Sequence, residues 1–96
     1  MKINFAKNGS TLNISLDGRL DTMSAPELEE FVKANVQDVD SVEIDCANLV
    51  YVSSAGLRVL LAVQKKFLLP LTLTNVQELV MEIFEITGFV DILTIK

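Results

Sequence analysis

Histidine and tryptophan are absent from the chain's 96 residues, and cysteine occurs once. A lone Cys46 has no internal disulfide partner, and without histidine it falls short of a zinc ligand set. No metal or cofactor is therefore expected. Catalysis by an activated serine is also disfavoured, because the usual base is missing. Basic residues are few: Lys and Arg total 8 against 13 Asp and Glu, for a formal charge of −5. Lys65-Lys66 is the largest basic cluster, so phosphate backbones and anionic membrane surfaces are poor partners. No apolar run reaches the length that spans a bilayer, and the N-terminus lacks the charged and hydrophobic regions of a signal peptide. These absences point to a reducing, cytoplasmic setting.

Aromatics make up only 6% of a chain that is 50% apolar, which makes the expected core aliphatic. The length suits one domain, residues 1–96. Periodicity then divides it. Met1 to Ala6 reads as a first strand and Asn8-Gly9 as a turn. Leu12, Ile14 and Leu16 alternate with Asn13, Ser15 and Asp17, a strand with one buried face that Gly18 is expected to end. Ser24-Ala25-Pro26-Glu27 carries the residues of a capping box with proline in the first turn, and Leu28, Phe31 and Val32 form a helical stripe. Val42, Ile44 and Cys46 mark a strand from about 41 to 46, and Leu49 to Val52 an apolar bridge.

A helix from Ser53-Ser54 to about Phe67 follows. Leu57, Leu60 and Leu61 suffice for its core stripe. Val59, Ala62 and Val63 widen the arc, either for docking or for burial under the C-terminal segment. Pro70 excludes continuation and introduces a short strand, Leu71 to Thr74. Asn75 to Glu78 repeats the capping logic for a last helix with Val76, Leu79, Val80, Ile83 and Phe84 inward. Gly88 supplies a left-handed stop, and Phe89 to Ile95 adds a turn and an edge strand. Strands alternating with helices imply an α/β fold: a mixed sheet of four to five strands with three to four helices, the first two strands a hairpin and the later ones parallel.

The turn Ser53-Ser54-Ala55-Gly56-Leu57 is the chemically suggestive segment. It lacks the first glycine of the Gly-x-Ser-x-Gly nucleophile elbow. Lys65 and Lys66 lie about three turns, some 15 Å, down the same helix, too far to act as a base. No phosphate-cradling glycine motif occurs, and Asp38 and Asp40 lack the ligand series of a calcium loop.

The stretch from Val42 through Val52-Ser53-Ser54-Ala55-Gly56-Leu57 to Leu61 resembles the signature of bacterial anti-sigma factor antagonists, the single-domain STAS proteins. Gly18-Arg19-Leu20-Asp21, Ser24-Ala25-Pro26 and Ile83 to Phe89 are similar to that family in order and spacing, so the resemblance covers essentially the whole chain. It implies a STAS fold and a non-enzymatic partner switch. In the family the turn reads Asp-Ser-Ser/Thr-Gly-Leu. The serine after the aspartate is phosphorylated by the partner anti-sigma factor kinase, and a phosphatase resets it. The unmodified antagonist binds the anti-sigma factor; the phosphorylated one lets go.

Aligned on Gly56-Leu57, Ser54 takes the phosphorylated position, Ser53 the aspartate's and Ala55 that of the second hydroxyl. The segment from Gly56 to Phe84 is a little shorter than in familiar members and lacks their Gly-Gly turn. Ser53, Ala55, Gly56, Arg58 and Asp21 are the expected partner-binding residues. Four of these also have a local alternative: capping for Ser53 and Asp21, tight packing for Gly56, plain solvation for Arg58; Ser54 too is a candidate helix cap. Two other roles fit the resemblance. An accessory STAS subunit of a lipid-transport ATPase also uses Ser/Thr-Ala-Gly-Leu, and a ligand-sensing module would use the sheet edge.

Overall fold

The computed structural model describes residues 1–96 and orders five strands and three helices along the chain. Strands β1 (Lys2–Asn8) and β2 (Thr11–Leu20) form an antiparallel hairpin closed at Gly9-Ser10, with Asn8 paired to Thr11. Helix α1 (Ala25–Asn35), strand β3 (Ser41–Val52), helix α2 (Ser54–Lys65), strand β4 (Leu71–Thr74) and helix α3 (Glu78–Thr87) follow. Gly88, at φ 80°, ends α3 and leads into a 3-10 turn, Phe89–Asp91, and the short β5 (Thr94–Ile95).

The sheet order is β1-β2-β3-β4-β5, with every pair after the hairpin parallel. Each crossover steps one strand in the same direction. Right-handed connections then put all three helices on one face. The alternation expected from periodicity fits this layout. Leu12, Ile14 and Leu16 of β2, Val42, Ile44 and Cys46 of β3, and Leu71 and Leu73 of β4 are buried. Together with Leu28, Val32, Leu57, Leu60, Val63, Val80 and Phe84 from the helices they belong to a single cluster of 22 residues. The opposite face carries Asn13, Ser15, Glu43, Asp45, Thr72 and Thr74 and has no helix over it.

Two strand boundaries differ from expectation for one reason. β2 does not stop at Gly18 but continues to Leu20, and β3 runs unbroken through the apolar bridge to Val52. The β2–β3 register shifts between Ser15 and Asp17 and again between Gly18 and Arg19. Bulges break the period-two pattern that marks a strand in sequence while the ladder carries on. Gly18 sits at the second shift with φ +115°, a conformation open to glycine and costly for other residues.

Two capping expectations also fail. Ser24 makes no side-chain bond to the start of α1. Its hydroxyl is turned back to Arg19, whose carbonyl it meets at 2.6 Å. Asn75, at φ 55°, does not cap α3; its Nδ2 donates to Asp45 Oδ1 at 3.1 Å. Gln77 precedes α3 without a capping bond of its own and donates instead to the Ala47 carbonyl. Both side chains fasten the β4–α3 loop to the bulged part of β3. Val59 and Val63 are buried, and Gln64 Nε2 donates to the Ile92 carbonyl at 3.4 Å. Val59 and Val63 of the wider apolar arc thus serve burial, with α1 the helix packed on α2.

Candidate functional site

Parallel strands deliver their C-terminal ends to the same side of a sheet, and loops there are the usual place for function. β2 ends at Leu20 and β3 at Val52, which are direct register partners. The β2–α1 loop, beginning at Asp21, and the β3–α2 turn, at Ser53, therefore emerge side by side. The Ser53 amide donates to the Leu20 carbonyl at 2.9 Å and ties the two together.

Ser53 is the N-cap of α2. Its backbone is extended, at φ −92° and ψ 177°, and its Oγ accepts from the Gly56 amide at 3.4 Å. The next hydrogen bond, from the Leu57 amide to the Ser53 carbonyl at 2.9 Å, starts the helix proper. Ser54 is the first helical residue and is exposed; Ala55 is half-buried. Arg58 is exposed one turn on, at i+4 from Ser54, so the two share a helix face. A helix start presents unpaired amides and the positive end of its dipole, and both favour a negative group at this turn.

Gly56, the fourth residue of the turn, has a packing duty within the fold. It is buried, and a Cβ built there would lie 2.7 Å from the Leu20 carbonyl oxygen, 2.8 Å from Leu20 Cγ and 3.0 Å from Val52 Cγ1. The missing side chain is what lets the first turn of α2 press onto the ends of β2 and β3. This close packing seats the serine turn against the Asp21 loop.

Asp21 acts as the cap that Ser24 was expected to be. Its Oδ1 accepts from the amides of Met23 at 3.0 Å and Ser24 at 3.2 Å, and its carbonyl accepts from the Ala25 amide at 2.7 Å. The Asp21 amide in turn donates to Ser24 Oγ at 2.9 Å. These amide bonds, led by that from Ser24, hold the Asp21 carboxyl below the usual carboxylate range, and Arg19 adds a smaller effect. Asp21 Oδ2 lies 3.8 Å from Arg19 Nε.

Arg19 and Tyr51 were not singled out from sequence. The Arg19 guanidinium lies 4.3 Å from the Tyr51 ring centroid while its side chain stays 60% exposed. The pairing of Arg19 with Tyr51 exists only because the two bulges shift the register, so no local pattern announces it. Met23, 83% exposed on the same loop, adds an apolar tip. Met1, Lys2, Asp17, Arg19, Asp21 and Met23 line an open groove of about 630 Å³ at this end of β2. A second depression of about 370 Å³ lies on the uncovered sheet face, where Asp45 is already bonded to the Ala47 amide and Asn75.

Cys46 is buried, and burial pushes its thiol up to about 12, so it stays protonated and unreactive near neutral pH. No cluster of three or more His, Cys, Asp or Glu residues is arranged to hold a metal ion. No helix is long and apolar enough to cross a membrane.

With this geometry in view, the comparisons with known proteins are consistent. A family model described as "Mlab, STAS domain" matches residues 3–94. A Bordetella bronchiseptica protein named as the anti-sigma factor antagonist BtrV is 36% identical over 96 residues, spanning 96% of this chain and 83% of the relative. The chain belongs to the STAS-domain family of anti-sigma factor antagonists. Among solved structures, an anti-sigma factor antagonist from Mycobacterium paratuberculosis superposes with a TM-score of 0.84 at 21% identity, covering 98% of this chain and 83% of its own. The unphosphorylated form of the antagonist SpoIIAA superposes at 0.74 with 14% identity, covering 99% and 87%. The phosphorylated form of Bacillus SpoIIAA gives 0.73 with 15% identity, covering 99% and 91%. At these identities the likeness is one of fold.

Proposed function

We propose that this protein is a cytoplasmic anti-sigma factor antagonist that works by partner switching, with Ser54 as its covalent switch. The observation that carries the reading is a division of labour between adjacent serines. Ser53 is committed to the cap, whereas Ser54 stands exposed at the first position of α2. One serine builds the turn and the other is free to be modified. The unmodified turn, with Arg58, Ala55 and the Asp21 loop around it, binds an anti-sigma factor serine kinase. The kinase transfers the γ-phosphoryl group of ATP to Ser54 Oγ, releasing ADP and the hydroxyl proton, and the complex separates. Hydrolysis of the phosphoserine by a phosphatase restores the binding form. The protein itself is a regulator, not an enzyme: no base stands near Ser54, and Lys65 lies about three turns away along α2.

Release comes from the interface and not from unfolding. A phosphoserine carries about −1.5 to −2 charge at neutral pH. The start of α2 favours that charge by about 0.3–1 kcal/mol at an exposed site. The domain therefore tolerates the phosphate, while a partner surface fitted to a neutral hydroxyl meets added bulk, charge and desolvation cost. The near-equal superposition on phosphorylated and unphosphorylated SpoIIAA supports a fold that survives modification.

Incubation with a cognate anti-sigma kinase and ATP, followed by phosphosite mapping and pulldown, tests this directly. Label is expected at Ser54 with loss of the complex. Ser54→Asp should melt within a few degrees of the parent and fail to bind. Label at Ser53 alone, or unfolding of the phosphoprotein, would refute the mechanism. Ser54-Ala55-Gly56-Leu57 also fits an accessory subunit of a lipid-transport ATPase. Co-purification with transporter subunits in place of a kinase would select that role.

A further inference from the structure

Helix α3 carries two apolar rows, and the fold fully buries only one; of the other, Ile83 alone packs against the core. Val80 and Phe84 are fully buried and anchor the helix. The second row is Leu79, Ile83 and Ile86, at i, i+4 and i+7, which places them along one line of the helix surface. Leu79 is 54% exposed, Ile86 is 85% exposed and Ile83 is half-buried. Val90 and Ile92, in and just after the 3-10 turn packed on the end of α3, are 38% and 47% exposed. A single exposed aliphatic residue needs no explanation, but a row of them on one element marks a contact surface.

The charges beside the row say what it fits. Glu78, Glu82 and Glu85 repeat the same i, i+4, i+7 spacing along the neighbouring outward edge, and all three are exposed. No lysine or arginine lies on α3, and the exposed Asp91 follows it. An apolar stripe with an acidic edge complements an aliphatic stripe with a basic edge. A second copy would bring a glutamate row with it, and an anionic bilayer would be repelled in the same way. Helix-to-helix docking through i, i+4, i+7 anchors is a common way to cover such a row.

We propose that the Leu79-Ile83-Ile86 face of α3 is a second docking surface, distinct from the Ser54 turn, for a partner's amphipathic helix rimmed with lysine or arginine. The proposal does not depend on phosphorylation, so it stands or falls separately from the switch.

The test titrates the isotopically labelled full chain with a synthetic helix about five turns long. Its leucines are set at i, i+4, i+7 and i+11 and flanked by lysine; a sister peptide has glutamate flanks. Amide shifts centred on α3 and the 3-10 turn are expected with the lysine peptide and not with its sister. Ile86→Asp, at a highly exposed position, should weaken binding at least tenfold without changing the circular dichroism. Glu82→Lys with Glu85→Lys should reverse the preference toward the glutamate peptide. Absence of binding, or shifts spread over the acidic surface and indifferent to Ile86→Asp, overturns the proposal. So does a self-associated dimer in sedimentation that Ile86→Asp dissolves.

Discussion

Replacing Gly56 by alanine sets two physical effects against each other, and the structure decides the sign. In an exposed helix, Gly→Ala stabilises by about 1 kcal/mol through helix propensity. Here the new Cβ would stand 2.7 Å from the Leu20 carbonyl oxygen and 2.8 Å from Leu20 Cγ. The oxygen belongs to backbone and already accepts the Ser53 amide at 2.9 Å, so it cannot swing aside as a side-chain tip would. Relief requires α2 to lift, which loosens that hydrogen bond and the packing of Leu57 and Leu60. Overpacking of this kind costs roughly 1–3 kcal/mol, and contact with backbone belongs at the upper end. Subtracting the propensity gain leaves a net loss of about 1–2 kcal/mol. For a domain of this size that corresponds to a melting temperature lower by roughly 5–15 °C. Thermal and urea unfolding followed by circular dichroism measure it. An alanine variant as stable as the parent, or more so, would refute the packing role of Gly56 and leave partner contact as its remaining reading.

The two serines should separate in a stability assay. Ser53→Ala removes the cap and should cost about 0.5–1 kcal/mol in urea denaturation. Ser54→Ala, at an exposed position with no capping duty, should stay within about 0.5 kcal/mol of the parent. Asp21 is held ionised by amide donors, so its folded-state pKa lies below the unfolded value. Its contribution is present above the ordinary carboxylate pKa and lost as pH falls through the depressed one. Asp21→Asn should therefore flatten the acid limb of the stability profile below about pH 4, and an unchanged limb would contradict the capping geometry. Cys46 should resist a thiol reagent at pH 8 in the native protein and react promptly in denaturant, since it is buried and its thiol is pushed up to about 12. Rapid native-state labelling would place it at the surface.

Much of the architecture was written in short-range patterns. The alternation of Leu12, Ile14 and Leu16 and of Val42, Ile44 and Cys46, the break at Pro70 and the stop at Gly88 fixed elements whose causes are local. One-step crossovers then left little freedom in strand order. Capping was less legible, because Ser24 and Asn75 are good local caps whose polar atoms found better partners in Arg19 and Asp45. At the site, the family resemblance marked the serine turn and its neighbourhood by motif.

By itself, the sequence determined the α/β order of elements, the aliphatic core, the acidic surface and the serine turn at the start of α2. Each of these depends on periodicity, composition or residues next to one another. Only the tertiary structure decided that Gly56 serves packing, that Asp21 caps the loop beside Ser53, and that Arg19 stacks on Tyr51. Those facts depend on the two register shifts between β2 and β3 and on the seating of α2 over Leu20. Such long-range distances are set when the sheet assembles, and no window along the chain contains them.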